Sequence, residues 1–345
     1  MTPPDPTASA YRAAGVDLDA SDETMARIKT AVTASYTPQV LSGLGTFGGM
    51  FDAGTLKKMD APVLVASTDG VGTKTKVAAA LGRFDTVGRD LVNHCVNDLL
   101  VQGARPLFFL DYVASARLEP APTAALIGGV AAGCQAHGIP LLGGETAELP
   151  GVYAAGEFDL VGTLVGVVER SQIITGEAVR AGDHVLGLPS GGLQTNGFSL
   201  ARRALEGRYA EILGDPARDT TVGDALLAPH KSFLDAVSPL LEAGLVRGMA
   251  HITGGGLPGN LPRVMPDGLG VVVTPDWSIP EIFGLIAEAG IDRGEMFRVF
   301  NMGVGFVVIV APEDAAEVRR RRPEAFMVGT VVSGEGVSLS GVGPL

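Results

Sequence analysis

Six apolar runs, at residues 62–66, 107–113, 160–168, 183–188, 270–274 and 305–310, carry β-branched or aromatic side chains and read as strands. Helical patterns lie between them. Over residues 123–137, Leu126, Val130 and Cys134 recur at every fourth position, and Gly138 with Pro140 supplies the stop. This alternation predicts an α/β or α+β protein. A chain of 345 residues exceeds what one core usually covers, so two domains are expected. Glu169-Arg170-Ser171-Gln172 closes one strand ahead of a new set of glycine loops. The boundary is therefore placed near 170, between an N-terminal domain of residues 1–170 and a C-terminal α/β domain of residues 171–345.

The first run ends in reactive side chains, as Ser67-Thr68-Asp69-Gly70-Val71-Gly72-Thr73-Lys74. Asn97-Asp98 with Gly103-Ala104-Arg105-Pro106 repeats the idea, as does Gly143-Gly144-Glu145-Thr146-Ala147-Glu148-Leu149-Pro150-Gly151. Any one acidic residue beside glycine reads as a turn. Three such sites in one half of the chain make Asp69, Asp98 and Glu145 candidate Mg2+ ligands, because that ion takes hard oxygens from one or two carboxylates, phosphates and water. In the helical stretch 86–102, Leu91, Val92, Cys95, Val96, Leu99 and Leu100 fill one side, while Asp90, His94, Asn97 and Asp98 form the opposite stripe. Short oxygen-bearing groups suit ligation or fixed hydrogen bonds better than a solvated face, which favours Lys, Glu and Arg. Gly43, Gly45 and Gly48 match the spacing of a dinucleotide fingerprint but lack the strand before and helix after that it needs. They read instead as a loop whose backbone N–H groups form an anion nest.

In the second half, Ser190-Gly191-Gly192-Leu193-Gln194-Thr195-Asn196-Gly197 and His251-Ile252-Thr253-Gly254-Gly255-Gly256 each open a helical segment. Small-residue loops at a helix start present N–H groups to an anion, and Arg263 adds a forked contact suited to phosphate. His251, beside the three glycines, is the first acid/base candidate and His230 the second. A net charge of −12 argues against nucleic acid or an anionic membrane surface as partner. The run Arg319 to Arg322 reads as cations at a helix C-terminus. Cys95 and Cys134 read as buried thiols, supporting neither a disulfide framework nor a zinc site. No apolar run approaches the ~18 residues of a membrane span and no leader pattern opens the chain, so a cytoplasmic protein is expected.

Taken together, these motifs resemble the phosphoribosylformylglycinamidine cyclo-ligase (aminoimidazole ribonucleotide synthetase) family. The resemblance runs in order through Tyr11-Arg12-Ala13-Ala14-Gly15-Val16-Asp17, the loop of Gly43, the segments of Asp69, Asp98 and Glu145, Asn196-Gly197, His251 to Gly256 and Asn301-Met302-Gly303-Val304-Gly305. It implies an N-terminal domain that dimerises into a shared β-barrel, ATP and Mg2+ as cofactors, and formylglycinamidine ribonucleotide as substrate. On that resemblance Lys29, Gly43, Gly45, Gly48, Asp69, Gly70, Lys74, Asn97, Asp98 and Glu145 bind the nucleotide. Ser190, Asn196, Gly197, Thr253, Gly254, Gly255, Gly256 and Arg263 hold the ribose phosphate, and His251, Asp98 and Lys74 serve the chemistry. Ser42, Thr46, Gln194 and Met302 depart from the commoner pattern without removing a carboxylate. Related ATP-using enzymes such as selenophosphate synthetase and thiamine-monophosphate kinase are rivals, as is a non-catalytic maturation scaffold. The first of these wants a reactive N-terminal Cys, and no Cys precedes Cys95.

Overall fold

The computed structural model describes residues 10–214, 219–340 and 343–344. The chain forms two compact units. One takes the described residues up to Asp60 with Ala66–Cys95 and Pro106–Gly166; the other takes Ala61–Val65, Val96–Arg105 and the described residues from Val167 onward. The units interleave in sequence.

The six expected strands are present with ends shifted by a few residues, and the rest of the strand set comes from segments that composition left unassigned. A four-stranded sheet runs β1 (Pro62–Gly70), β4 (Phe158–Glu169), β2 (Arg105–Ser115), β3 (Leu141–Glu148). β2 and β3 are parallel, with Asp111 opposite Gly144 and Tyr112 opposite Glu145. Glu145 thus sits within a strand, in a segment that the apolar runs did not mark as one. Gly144 is required there, because a Cβ would collide with the Asp111 carboxylate. Helices Asp85–Leu100 and Pro120–Ala136 accompany this sheet. They approach backbone to backbone where a side chain on Gly88 would strike Leu126, Gly129 and Val130.

The second sheet has seven strands in the order β11 (Gly343–Pro344), β10 (Gly336–Leu339), β7 (Leu269–Val273), β9 (Phe326–Ser333), β5 (His184–Pro189), β8 (Val304–Val310), β6 (Gly248–His251). It is mixed, since β10 pairs parallel with β7 while β5, β8, β9 and β6 pair antiparallel. Every residue of β8 is buried, which explains its continuous apolar sequence. Leu100, Leu186, Phe233 and Val318 pack in the core with its Phe306 and Val308. The end of the Asp85–Leu100 helix is thereby tied into the second unit through Leu100. Arg319, Arg320 and Arg321 close the Ala315–Arg321 helix as expected.

Candidate active site

The polar stripe on the Asp85–Leu100 helix faces inward. Asp90 and Asn97 are 0 % exposed and His94 is 4 % exposed, so the stripe is a set of fixed hydrogen-bonding groups and not a solvated face. In the first unit, β1 delivers Asp69 at its end, where Oδ2 lies 2.8 Å from His94 Nε2 and Oδ1 accepts the Gly70 N–H at 2.6 Å. Lys74, the first residue of its helix, is wholly enclosed and lies 2.7 Å from Asp90. Burial pulls its ammonium below the usual lysine range, and Asp90 opposes that shift. Glu145 on β3 is exposed, as is Lys29 on helix Leu18–Ala34. Gly43, Gly45 and Gly48 are also exposed, and a Cβ at any of the three would meet nothing within 4 Å. The space against that loop is open to a ligand.

In the second unit, Asp98, 30 % exposed in its side chain, lies 2.8 Å from Nδ1 of the buried His251. Both line a cavity of about 420 Å3, together with Thr253, Asn260 and Arg263. Two glycine conformations shape the loop that follows Thr253. Gly255 has φ +94 and caps helix Gly256–Asn260, while Gly256 has φ +58 and leaves no room for a Cβ against the Phe297 and Phe300 carbonyls. Asn260 holds the same turn, donating to the Gly256 carbonyl at 2.8 Å and the Gly254 carbonyl at 3.3 Å. A Cβ on Gly254 would lie 3.6 Å from Asn196 Nδ2, so the two small-residue loops meet there.

The loop after β5 is held by Asn301. Its side chain accepts from the Ser190 hydroxyl at 3.0 Å and the Gly303 N–H at 2.9 Å, and donates to the Gly192 and Leu193 carbonyls. Ser190 is 3 % exposed and spends its hydroxyl inside this network. Gln194 and Met302, both departures from the family pattern, carry left-handed backbone at φ 64 and φ 48. Strain of ~1–3 kcal/mol per residue persists only where surroundings enforce it. Asn301 opens the Asn301–Gly305 segment of the resemblance and Asn260 only follows the second glycine loop, and neither had a site role assigned from the sequence.

The family description "AIR synthase related protein, N-terminal domain" matches residues 51–168, and "AIR synthase related protein, C-terminal domain" matches residues 180–342. A phosphoribosylformylglycinamidine cyclo-ligase of Myxococcus xanthus is 49 % identical over 342 residues, covering 97 % of this chain and 99 % of the relative. The chain belongs to the phosphoribosylformylglycinamidine cyclo-ligase family. Solved structures extend this family's fold to more distant proteins. Escherichia coli HypE, a hydrogenase maturation protein, superposes with a TM-score of 0.67 at 17 % identity, covering 94 % of each chain. Thiamine-monophosphate kinase from Stenotrophomonas maltophilia K279a gives 0.66 at 17 % identity, covering 92 % of this chain and 96 % of that one. A further HypE structure, with a TM-score of 0.65 at 18 % identity over 91 % of this chain and 86 % of that one, is a complex with ATP. These neighbours share the fold, while the sequence relatives carry the cyclo-ligase family. No helix among the described residues is long and apolar enough to cross a membrane.

Proposed function

We propose that this chain closes formylglycinamidine ribonucleotide to 5-aminoimidazole ribonucleotide in de novo purine synthesis, with ATP converted to ADP and phosphate. The formamide oxygen attacks the terminal phosphorus of ATP and ADP leaves. The amidine nitrogen then attacks the activated carbon, the C–O bond breaks with release of phosphate, and loss of a proton completes the imidazole. An amide oxygen is a poor leaving group and its phosphate ester a good one, while ring closure gains from proximity. The observation that carries the reading is the full-length match to cyclo-ligases.

The side chains supply what such a reaction needs, which is charge neutralisation and positioning. Asp69, Asp98 and Glu145 are hard-oxygen donors of the kind Mg2+ takes, and His94 and His251 each hold one of the first two in place. The metal, when bound, screens the phosphate charges during transfer. His251 stands within hydrogen-bond reach of Asp98 on the cavity wall, where it is placed to hold or move a proton. Thr253, the glycines 254–256 and Arg263 are assigned to the ribose phosphate, and Lys29 with residues 43–48 to the nucleotide phosphates.

A homodimer belongs to the same reading. Along β1, Pro62, Leu64, Ala66 and Thr68 are all exposed on one face, with Leu64 at 63 %, an apolar sheet surface suited to a second copy; sedimentation equilibrium measures it. The working compartment on this reading is the cytoplasm.

The decisive assay mixes protein, Mg-ATP and formylglycinamidine ribonucleotide, and follows loss of water by mass spectrometry with matching ADP release. Asp98→Asn is expected to abolish turnover with the folded circular dichroism spectrum retained. A variant at near-normal rate would remove Asp98 from the metal site.

A further inference from the structure

We infer that His230 is a positioning residue of this site: held as its Nδ1–H tautomer, it offers Nε2 to His251 and fixes the ring that faces Asp98. The assignment starts from two backbone groups. Asn97 Oδ1 accepts the Phe233 N–H at 2.9 Å, and Asn97 Nδ2 donates to the Lys231 carbonyl at 2.8 Å. A backbone N–H only donates and a carbonyl only accepts, so the amide has one orientation. Its Nδ2 also lies 3.1 Å from His230 Nε2. An N–H facing that nitrogen requires a lone pair on it, so the proton of the His230 ring sits on Nδ1 and is donated to Thr195 Oγ1 at 3.1 Å.

The consequence passes to His251. Its Nε2 lies 3.1 Å from the same His230 Nε2, and facing a lone pair it must be the donor. One ring edge of His251 is thereby committed to His230, and at the other edge Nδ1–H donates to the Asp98 carboxylate at 2.8 Å, so the arrangement places a proton on each ring nitrogen. The two rings cross edge to face at 67° with centroids 5.1 Å apart, and both residues are buried, at 1 % and 5 % exposure. Without an acceptor at position 230, the His251 Nε2–H loses this partner, and the ring loses one of the hydrogen bonds that fix its rotation about the Cβ–Cγ bond. The tautomer follows from these hydrogen bonds alone; its bearing on catalysis rests on the cyclo-ligase reading.

The test uses the full chain labelled with 15N at histidine. Long-range 1H–15N spectra should show His230 protonated on Nδ1 and bare on Nε2, with His251 protonated on Nε2. His230→Leu removes the acceptor, and His230→Gln places a carboxamide oxygen near the Nε2 position. By analogy with the loss of groups that orient metal ligands, the Leu variant should lose about 10–100-fold in kcat with KM values within about threefold, and the Gln variant should recover to within about fivefold of wild type. The His251 Nε2–H signal should be perturbed in the Leu variant and restored in the Gln variant. A His230 ring protonated on Nε2 overturns the proposal, as does a folded Leu variant with wild-type turnover, or equal losses in Leu and Gln. If the Leu variant does not fold, the wild-type tautomer still decides. If wild type turns over no formylglycinamidine ribonucleotide yet shows the spectrum described, the reaction assignment fails and the ring arrangement stands.

Discussion

Replacing Asp90 by Asn should cost more stability than any other single-charge change near the site. Lys74 and Asp90 are 2.7 Å apart with no exposure of either side chain. At an effective dielectric of ~20 their attraction is about 6 kcal/mol. Desolvation of several kcal/mol per ion offsets it, so the intact pair contributes little, whereas removing one partner strands a buried charge and costs about 3–5 kcal/mol. For a unit of this size that corresponds to a fall in Tm of roughly 6–20 °C. The pH dependence has a definite sign. The folded ammonium already titrates below its ordinary value of 10.5, and loss of Asp90 lowers it further. Between the folded and unfolded values the unfolded chain binds the extra proton, so stability rises with pH and the penalty shrinks towards 10.5. Thermal unfolding by circular dichroism at about pH 7 and about pH 9.5 measures both effects. Lys74→Met combined with Asp90→Leu should restore stability to within about 1 kcal/mol, and its turnover then reports separately on any chemical role of Lys74. An Asp90→Asn protein that melts within about 2 °C of wild type, or a penalty that grows with pH, would refute the reasoning.

Two further perturbations probe one group in each unit. Burial raises the Asp111 carboxyl from 3.8 to about 7. The folded state therefore keeps the proton where the unfolded state has lost it, and stability falls as pH rises between those values. Asp111→Asn should gain about 1–3 kcal/mol at alkaline pH after the cost of an unpaired buried amide, and lose that gain near pH 4; urea midpoints across the range check it, and a gain that grows on acidification contradicts it. Asn301→Ala removes the tie between the loop after β5 and Gly303, and should cost about 2–4 kcal/mol while raising substrate KM about tenfold with a smaller change in kcat. Steady-state kinetics with denaturant unfolding resolve the two, and an unchanged KM shows that the loop holds its shape without Asn301.

Much of this architecture was legible because its signals are local. The run at 305–310 is apolar throughout since β8 is covered on all sides, and the stripe Asp90, His94, Asn97, Asp98 follows from helical spacing alone. β3 was hidden because Gly143 and Gly144 imitate a turn, when the second glycine is there to admit the Asp111 carboxylate across a parallel pair. β6 is only four residues long and is recognisable chiefly by its pairing with β8. The partners of the candidate site were the least legible. His230 stands 133 residues from Asn97, Lys74 meets Asp90 rather than an obvious ligand, and Asn301 reaches back to Ser190 across the intervening chain. No periodicity encodes such encounters.

The hydrogen bond from Phe233 to Asn97 closes a sequence gap of 136 residues. A ribosome adding ~5–20 residues per second would leave the Asn97 amide waiting roughly 7–27 s for that partner. Leu100 must wait similarly for Phe233, Phe306 and Val308. A gene fragment cut at residue 171 would remove Asn97, Asp98 and Leu100 from the remaining polypeptide. Biogenesis of the second unit is thus committed early in translation and completed only late, and a nascent-chain probe at Asn97 would watch that delay directly.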